Sequence, residues 1–197
     1  MTAASFWLAG ISAASAQVFS LEEPAFEILV KADAYELRSY RSMVIAEVIV
    51  QGDVATAGKE GSRLIKDYIF REGANEPKGD GQRGEGKISM TVPVTMESNA
   101  GSGYRLHFVM PSKYTLQTLP KPTDPRVTLR AIPAQKVAAL RFSKFSTEAN
   151  IAEQTALLRN WMAQQALKAA GEPQFARYDP PFVPPMLRRS EILIAVE

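Results

Sequence analysis

The fold depends on one stretch of the chain, Lys87-Ile88-Ser89-Met90-Thr91-Val92-Pro93-Val94-Thr95-Met96. Apolar and polar residues alternate along most of it, and a period of two predicts a β-strand with one apolar face. Pro93 has no N–H to donate to a neighbouring strand, so it favours a strand end, a bulge or an edge position. Met90 and Met96 on the apolar face suit either a packed core or a wall against a flat apolar ligand, and packing is the commoner role of such a stripe.

Composition sets the broad class of protein. The 197 residues are 46% hydrophobic and 22% charged, which is enough for one domain with a sizeable core. Lys and Arg number 23 against 21 Asp and Glu, so the net charge of +2 does not favour a nucleic-acid or membrane partner. The chain has no cysteine, which excludes a disulfide or a thiolate site and leaves the compartment open. We expect a monomer.

Residues 1–16 carry no charge and end in Ala14-Ser15-Ala16, a small-residue pattern typical of signal-peptide cleavage. They therefore predict export to the periplasm or the medium. The segment lacks a positive n-region, so the alternatives are a start further upstream or a loose tail on a cytoplasmic protein. No later run approaches the ~18 apolar residues that a membrane-spanning helix needs. We expect residues 22–197 to form a single domain.

The first half of that domain reads as strands followed by a helix. Short β-prone segments cover residues 26–30, 35–40 and 43–50, and their short links predict a meander. Asp53 is then a candidate N-cap, and a helix is expected to run to about residues 70–73. Apolar or small residues recur on its buried side at three- and four-residue steps, at Val54, Ala57, Gly61, Leu64, Ile65 and Tyr68.

This first helix has two faces with different candidate roles. Lys59, Arg63 and Lys66 fall opposite the buried stripe, where they form either a solvated face or a set of cations for the carboxylates of an amphipathic ligand. Gly58 and Gly61 lie toward the buried side and allow close approach of a sheet or of a flat molecule. Close packing of the helix on a sheet is the simpler of these two explanations.

Two other features resemble functional motifs. Gly81-Gln82-Arg83-Gly84-Glu85-Gly86-Lys87 imitates a nucleotide-binding loop, but Ile88 follows the lysine and a strand begins there, which argues against phosphate binding. His107 lies in a predicted strand, 104–109, that places Leu106 and Phe108 on one face and His107 on the other. Without a nearby Cys or second His, His107 is expected to be a surface or hydrogen-bonded strand residue rather than a metal ligand.

The second half of the chain repeats the first. Residues 127–133 and 136–142 echo residues 35–40 and 43–48, and each pair of strands leads into a helix. The second helix is expected to begin at Thr147 or Asn150 and to run to Ala170, before Gly171 and Pro173. The order β-β-α-β-β, taken twice, predicts an α+β fold: two pseudo-repeats forming a distorted β-barrel or paired antiparallel sheets, flanked by two helices. A cleft between the halves would suit an apolar ligand.

Several ordered motifs together resemble the SOUL haem-binding protein family. They are residues 87–94, 119–127, 137–145 and 178–194, so the likeness covers nearly all of residues 22–197. The resemblance implies a plan similar to that of the gyrase-inhibitory-protein-like domains. It also implies binding of haem or related tetrapyrroles in an apolar cleft beside the first helix, with carrying or buffering of the ligand as the expected role.

Carried over by position, Lys59 takes the place of a basic residue that meets a propionate, with Leu64 and Ile65 as apolar wall. A histidine that serves some members as an iron ligand has no counterpart in residues 43–50. The metal ligand is therefore open among His107, Tyr68, Tyr178 and Met90. The candidate cofactor-binding set comprises Lys59, Arg63, Leu64, Ile65, Tyr68, Met90 and Tyr178.

Two other functions stay open from the sequence. The likeness to gyrase-inhibitory-like domains permits a cleft hydrolase or a small-molecule-binding module that uses Glu and Tyr. However, the chain has no Gly-x-Ser-x-Gly elbow, no cysteine and no histidine beside a nucleophile, so we do not expect an enzyme. The second is an interaction module, in which the proline-rich loop 180–185 contacts a partner protein, although a stiff surface connector is the simpler interpretation.

Overall fold

The computed structural model describes residues 21–72, 88–99, 103–143, 145–180 and 182–197. The predicted signal peptide at 1–16 and the glycine-rich loop at 81–87 lie outside these residues. Within them the strands are β1 Phe26–Ala32, β2 Tyr35–Tyr40, β3 Met43–Val50, β4 Val94–Ser98, β5 Tyr104–Val109, β6 Thr128–Ile132, β7 Gln135–Phe142, β8 Gln174–Arg177 and β9 Ser190–Val196. The α-helices are α1 Val54–Asp67 and α2 Glu148–Gln164. Neither has the length and apolar character needed to cross a membrane.

All nine strands belong to one antiparallel sheet. Their order is β1-β2-β7-β9-β8-β4-β5-β3-β6, so β1 and β6 are its two edges and the sheet does not close into a barrel. β2-β3-α1-β4-β5 and β6-β7-α2-β8-β9 form the two predicted halves, and β4 pairs with β8 at the middle. The α+β prediction is confirmed, in its form of paired antiparallel sheets flanked by two helices.

The predicted meander is wrong at the link between β2 and β3. β2 pairs with β1 and β7, whereas β3 pairs with β5 and β6, so these consecutive strands lie in opposite halves of the sheet. A two-residue hairpin favours Gly, Asn or Asp, which tolerate a positive φ, as Asp33 does at 52° between β1 and β2, and the link Arg41-Ser42 has none of these. The β6 to β7 link, Pro133-Ala134, lacks them too. Each half therefore donates its first strand to the other half.

The stretch at 88–96 is a strand only in its last part, because β4 begins at Val94. Before it, Thr91 is as buried as Ile88, and its hydroxyl donates a hydrogen bond to the Val109 carbonyl. The Val92–Pro93 peptide bond is cis. The expectation that Pro93 marks a strand end is confirmed, but the strict alternation across 88–93 is not found.

Both helices pack on the same face of the sheet. α1 contacts β3 and β5, and α2 contacts β7 and β9, so each helix covers one half. Thr147 caps α2 by accepting a hydrogen bond from the Asn150 N–H, as expected for the earlier of the two predicted starts. The helix ends at Gln164, earlier than the predicted Ala170. Ala166 adopts a positive φ of 54°, and the Leu167 N–H donates to the Met162 carbonyl, which terminates the helix before the glycine.

α1 lies close to the sheet because its buried side carries glycines. Asp53 caps the helix by accepting a hydrogen bond from the Thr56 N–H at 2.7 Å, as predicted. A Cβ placed on Gly61 would be 2.6 Å from Leu106 Cδ2, and one on Gly58 would be 3.2 Å from Met96 Cε. Close packing of helix on sheet thus explains both glycines.

Candidate functional site

The flanks of α1 differ in charge pairing. Arg63 donates hydrogen bonds to Glu60 and Asp67, and Glu60 also lies 3.6 Å from Arg126, so this flank is a closed surface network. At 100° per residue, Lys59 and Lys66 fall on the other flank, the one toward Gly58. Both lysines are exposed, and neither forms an ion pair with another described residue. The second flank therefore presents two available cations.

Arg177 lies at the foot of this second flank. It is the last residue of β8, and its guanidinium faces α1, since a Cβ on Gly58 would be 3.1 Å from Arg177 Nη2. No described carboxylate lies within ion-pair distance of it. Burial lowers the pKa of Arg177 below its usual value, and the charge of nearby Arg188 lowers it further. A half-buried cation without an acid partner is costly, which makes Arg177 a candidate anion contact.

The loop between β8 and β9 follows directly after Arg177 and carries exposed apolar side chains. Phe182, Met186 and Leu187 are 85%, 67% and 73% exposed. Within this loop, Arg188 Nε donates a hydrogen bond to the Val183 carbonyl at 2.6 Å. We call the second flank of α1, Arg177 and these three apolar residues the α1–loop surface. It combines exposed apolar side chains with cations, as recognition of an amphipathic anion requires.

The structure places the seven candidate residues predicted from the sequence in different environments. Leu64 and Ile65 are buried beneath α1 in the core. Tyr68 is also buried, and its hydroxyl donates to the Pro120 carbonyl at 2.9 Å. Met90 is half-buried and packs against the same core cluster. Of the seven, Lys59 is on the α1–loop surface, Arg63 is on the opposite flank, and Tyr178 lies on the other face of the sheet.

Tyr178 belongs to a buried polar network in the second half. Its hydroxyl donates to Glu191 at 2.7 Å, and the Arg189 guanidinium stacks on its ring at 3.6 Å from the centroid. Burial and the charge of Glu191 raise the pKa of Tyr178 well above its usual value. The phenol is therefore neutral and held as a hydrogen-bond donor, in a structural role.

Two neighbouring cavities lie beside the sheet, the smaller of them on the face without helices. One, of about 470 Å³, is lined by residues of both halves, including Ile45, His107, Arg105, Arg130, Val137 and Leu193. The other, of about 760 Å³, is lined mainly by apolar residues, among them Met43, Met110 and Leu116. Pro24, Met43 and Val109 line both. Neither cavity includes a residue of α1.

His107 lies on the wall of the smaller cavity and is buried, so the first of the two alternatives from the sequence, a surface residue, is wrong. Burial lowers the pKa of His107 more than Glu97 and Glu47 raise it, so the imidazole is neutral at pH 7. Its Nε2 is 3.1 Å from Glu47 Oε2, but the alignment is too poor for a hydrogen bond. The predicted face alternation on β5, with Leu106 and Phe108 opposite His107, is confirmed by their packing under α1.

Sequence reasoning missed Arg177, although a signal was present. In Phe175-Ala176-Arg177-Tyr178 the alternation puts Arg177 on the same face as buried Phe175, and a charge on an apolar face marks a special position. The exposed apolar residues of the β8–β9 loop were not assigned to a tetrapyrrole site, because the prolines around them suggested a contact with a partner protein or, more simply, a stiff connector.

Comparison with known proteins shows the fold and the family. A crystal structure described as a hydrolase from Listeria innocua is similar at a TM-score of 0.60 and 13% identity, over 86% of this chain and 94% of that one. The crystal structure of the EcmrR C-terminal domain is similar at a TM-score of 0.60 and 11% identity, over 83% of this chain and 96% of that one. At these identities the likeness shows the fold alone.

Among curated proteins no match is found. The family described as "SOUL heme-binding protein" matches residues 21–195. Because that match covers nearly the whole chain, the protein belongs to the SOUL haem-binding protein family.

Proposed function

We propose that the protein binds haem or a related tetrapyrrole on the α1–loop surface. Membership of a haem-binding family supports tetrapyrrole binding in general. The placement beside α1 rests on one observation above all: Arg177, half-buried and without a described acid partner, faces α1, and the loop that follows it in sequence carries three exposed apolar side chains. A ligand with a flat apolar body and carboxylates would satisfy both features at once.

The physical chemistry of the ligand matches this surface in two ways. A porphyrin ring removes apolar area from water as it covers Phe182, Met186 and Leu187, at roughly 25 cal/mol per Å2. Its carboxylates accept charge-assisted hydrogen bonds from Arg177 and from the lysines Lys59 and Lys66. The cations orient the ring, while contact with the ring supplies most of the affinity.

The described residues fit the ring and its carboxylates better than they fit an axial bond to iron. Of the candidate ligands, Tyr68 is enclosed in the core, Met90 packs against it, and His107 and Tyr178 lie on the other face of the sheet. Met186 is an exposed thioether on the α1–loop surface itself. Haem bound there would supply an iron with an open coordination position, and this chain would hold it chiefly by contact and charge. We therefore propose a binder or carrier rather than an enzyme.

Titration of the full chain with haemin and with metal-free protoporphyrin, followed by the Soret band, tests this proposal. We expect both to bind with similar affinity, because ring contact rather than coordination dominates. Arg177→Gln should weaken both about tenfold, the equivalent of one charge-assisted hydrogen bond. Phe182→Ser should also weaken both. Arg159→Gln and Phe145→Ser are matched controls, since both residues are exposed and neither belongs to the α1–loop surface.

Two results would contradict the proposal. The first is an unchanged spectrum with both haemin and protoporphyrin, which would exclude tetrapyrrole binding. The second is normal binding by both Arg177→Gln and Phe182→Ser, which would move the site elsewhere on the protein. Export of the protein, predicted from residues 1–16, is separate from this test and stays a prediction.

A further inference from the structure

The link between β8 and β9 is a long hairpin loop at the end of a strand pair. Arg177 and Ser190 are the last paired residues of these two strands, so the described residues between them lie past the end of the pair. The two ends of the loop stay side by side, because the Tyr178 N–H donates a hydrogen bond to the Arg189 carbonyl at 3.3 Å. We call residues 182–187 the tip of this loop.

The tip is held by hydrogen bonds within the loop. The Leu187 N–H donates to the Pro184 carbonyl at 2.9 Å and the Arg188 N–H to the Pro185 carbonyl at 3.3 Å, which makes a short turn. The Arg188 side chain then reaches back, and its Nε donates to the Val183 carbonyl at 2.6 Å. The proline rings also fix φ at positions 184 and 185. The tip therefore keeps its conformation without burying its own side chains.

The apolar side chains of the tip face water instead. Phe182, Met186 and Leu187 are the three most exposed large apolar side chains in the described parts of the chain, at 85%, 67% and 73%. Single exposed apolar residues are ordinary on a protein surface. Three of them within six residues, on a loop that holds its own shape, indicate a contact surface.

Two arginines lie at the base of the tip. Arg188 follows the tip in sequence, and Arg177 is the last residue of β8. Burial and, after it, the charge of Arg188 lower the pKa of Arg177, so the two guanidinium groups lie near each other. The loop thus combines an apolar end with positive charge at its base. The net charge of +2 for the whole chain does not reveal this local arrangement.

The size of the tip favours a membrane over a protein as the partner. A specific protein interface buries about 800 Å2 on each partner and uses about 20–30 residues a side. The tip offers three apolar side chains on one loop, which is too few for such an interface. A bilayer needs no matching surface, because apolar side chains enter the acyl boundary while nearby cations meet the headgroups. The arginines favour a bilayer with negative charge.

We propose that the tip inserts into the surface of an anionic lipid bilayer, with Phe182, Met186 and Leu187 at the acyl boundary and Arg177 and Arg188 at the level of the headgroups. This contact holds the protein reversibly on a membrane surface. It rests on the exposed tip and not on tetrapyrrole binding. A porphyrin and a bilayer would cover the same three side chains, one at a time.

Co-sedimentation of the full chain with vesicles, in the absence of tetrapyrrole, tests the proposal. We expect saturable binding to vesicles of equal parts phosphatidylcholine and phosphatidylglycerol, and about tenfold weaker binding to pure phosphatidylcholine, which lacks the negative charge. Phe182→Ser and Leu187→Ser should each weaken binding to the mixed vesicles about tenfold, because each removes an apolar side chain from the acyl boundary. Phe145→Ser is the matched control, since Phe145 is 62% exposed but lies outside the tip, and it should bind normally.

Residues 1–16 are apolar as well and need a control of their own. Trp7→Ser makes that segment less apolar and should leave vesicle binding unchanged. Binding that is lost in Trp7→Ser but kept in Phe182→Ser would overturn the proposal, as would no vesicle binding by the wild-type chain. A wild-type dimer that Phe182→Ser converts to a monomer, without vesicle binding, would assign the tip to a second copy of the chain instead. A chain that binds haemin but not vesicles would contradict only this proposal and not the tetrapyrrole site.

Discussion

Glu191 is a fully buried carboxylate on β9 that is held entirely by side chains. Arg38 donates to it through Nη1 at 2.6 Å and Nη2 at 3.1 Å, Tyr178 through its hydroxyl at 2.7 Å, and Arg189 through Nε at 3.1 Å. Burial alone would raise the pKa of Glu191, but these partners outweigh it and hold the pKa below the usual 4.5. The charge is thus well compensated, and removing it leaves Nη1 and Nη2 of buried Arg38 without an acid partner, while only its Nε stays paired, with Glu36 at 2.8 Å.

We expect Glu191→Gln to lower the free energy of unfolding at pH 7 by about 3–5 kcal/mol, the usual cost of breaking a buried ion pair on one side. Urea denaturation with and without the substitution measures this. Glu197→Gln is the matched control, because Glu197 is exposed and its only described ion pair, with Lys168, is 3.9 Å long. Exposed pairs contribute about 0–1 kcal/mol, so a loss as large in Glu197→Gln would contradict the explanation.

The pH dependence of this contribution has a definite sign. A carboxyl whose pKa is lowered on folding stabilises the fold above its unfolded pKa, and the gain disappears as pH falls through the folded pKa. Since the pKa of Glu191 is held below 4.5, the wild-type protein should lose stability as the pH falls below about 4.5. Glu191→Gln should show a shallower loss over the same range, and an identical slope would count against Glu191 as its source.

At the scale of single elements, the position of α1 depends on the absence of a side chain at Gly61. A Cβ there would lie 2.6 Å and 2.9 Å from the two methyl carbons of Leu106, which is fully buried and has little room to move. We expect Gly61→Ala to destabilise the protein by about 1–3 kcal/mol despite the better helix propensity of alanine. A denaturation midpoint measured at a constant m-value checks this.

Gly171 provides the control for that substitution. A Cβ at Gly171 would lie 3.8 Å from Ala195 Cβ, an ordinary contact, so Gly171→Ala should change stability little. If Gly61→Ala were equally neutral, α1 would not be as close to β5 as the structure places it.

The helices and the strands differed in how well the sequence predicted them. The three- and four-residue steps before Tyr68 and the caps Asp53 and Thr147 are local signals, so α1 and the start of α2 were predicted closely. The pairing of β2 with β7 is not local. It depends on contacts about a hundred residues apart, and the alternation within each strand is the same whichever neighbour it takes.

In the candidate site too, the sequence predicted what depends on one element and not what depends on contacts between elements. Lys59 could be placed on an exposed helix face from periodicity, since that needs only the helix itself. Arg177 could not be placed beside Gly58, because this requires knowing that α1 packs near the end of β8. Leu64, Ile65 and Tyr68 share the apolar stripe, and a stripe alone does not distinguish a ligand wall from a core.

For the whole molecule, strand exchange makes the two halves depend on each other. β2 belongs to the first half in sequence but pairs with β7, and β6 belongs to the second half but pairs with β3. β4 and β8 join the halves at the centre of the sheet. Neither half can therefore complete its sheet from its own strands, which predicts a single cooperative unfolding transition.

A core substitution in one half tests this through a probe in the other. Leu106→Ala, on β5, removes a fully buried side chain under α1 and should cost about 2–5 kcal/mol. Trp161 on α2 reports the second half by fluorescence, and Trp7→Phe removes the other tryptophan signal. We expect Leu106→Ala to lower the unfolding midpoint measured by Trp161 fluorescence as much as the midpoint measured by far-ultraviolet circular dichroism. When β5 unfolds, β3 loses its neighbour and unfolds with it, and β6 then loses its partner β3. Two separated midpoints would mean that the halves unfold independently, and then the exchanged strands would not couple them.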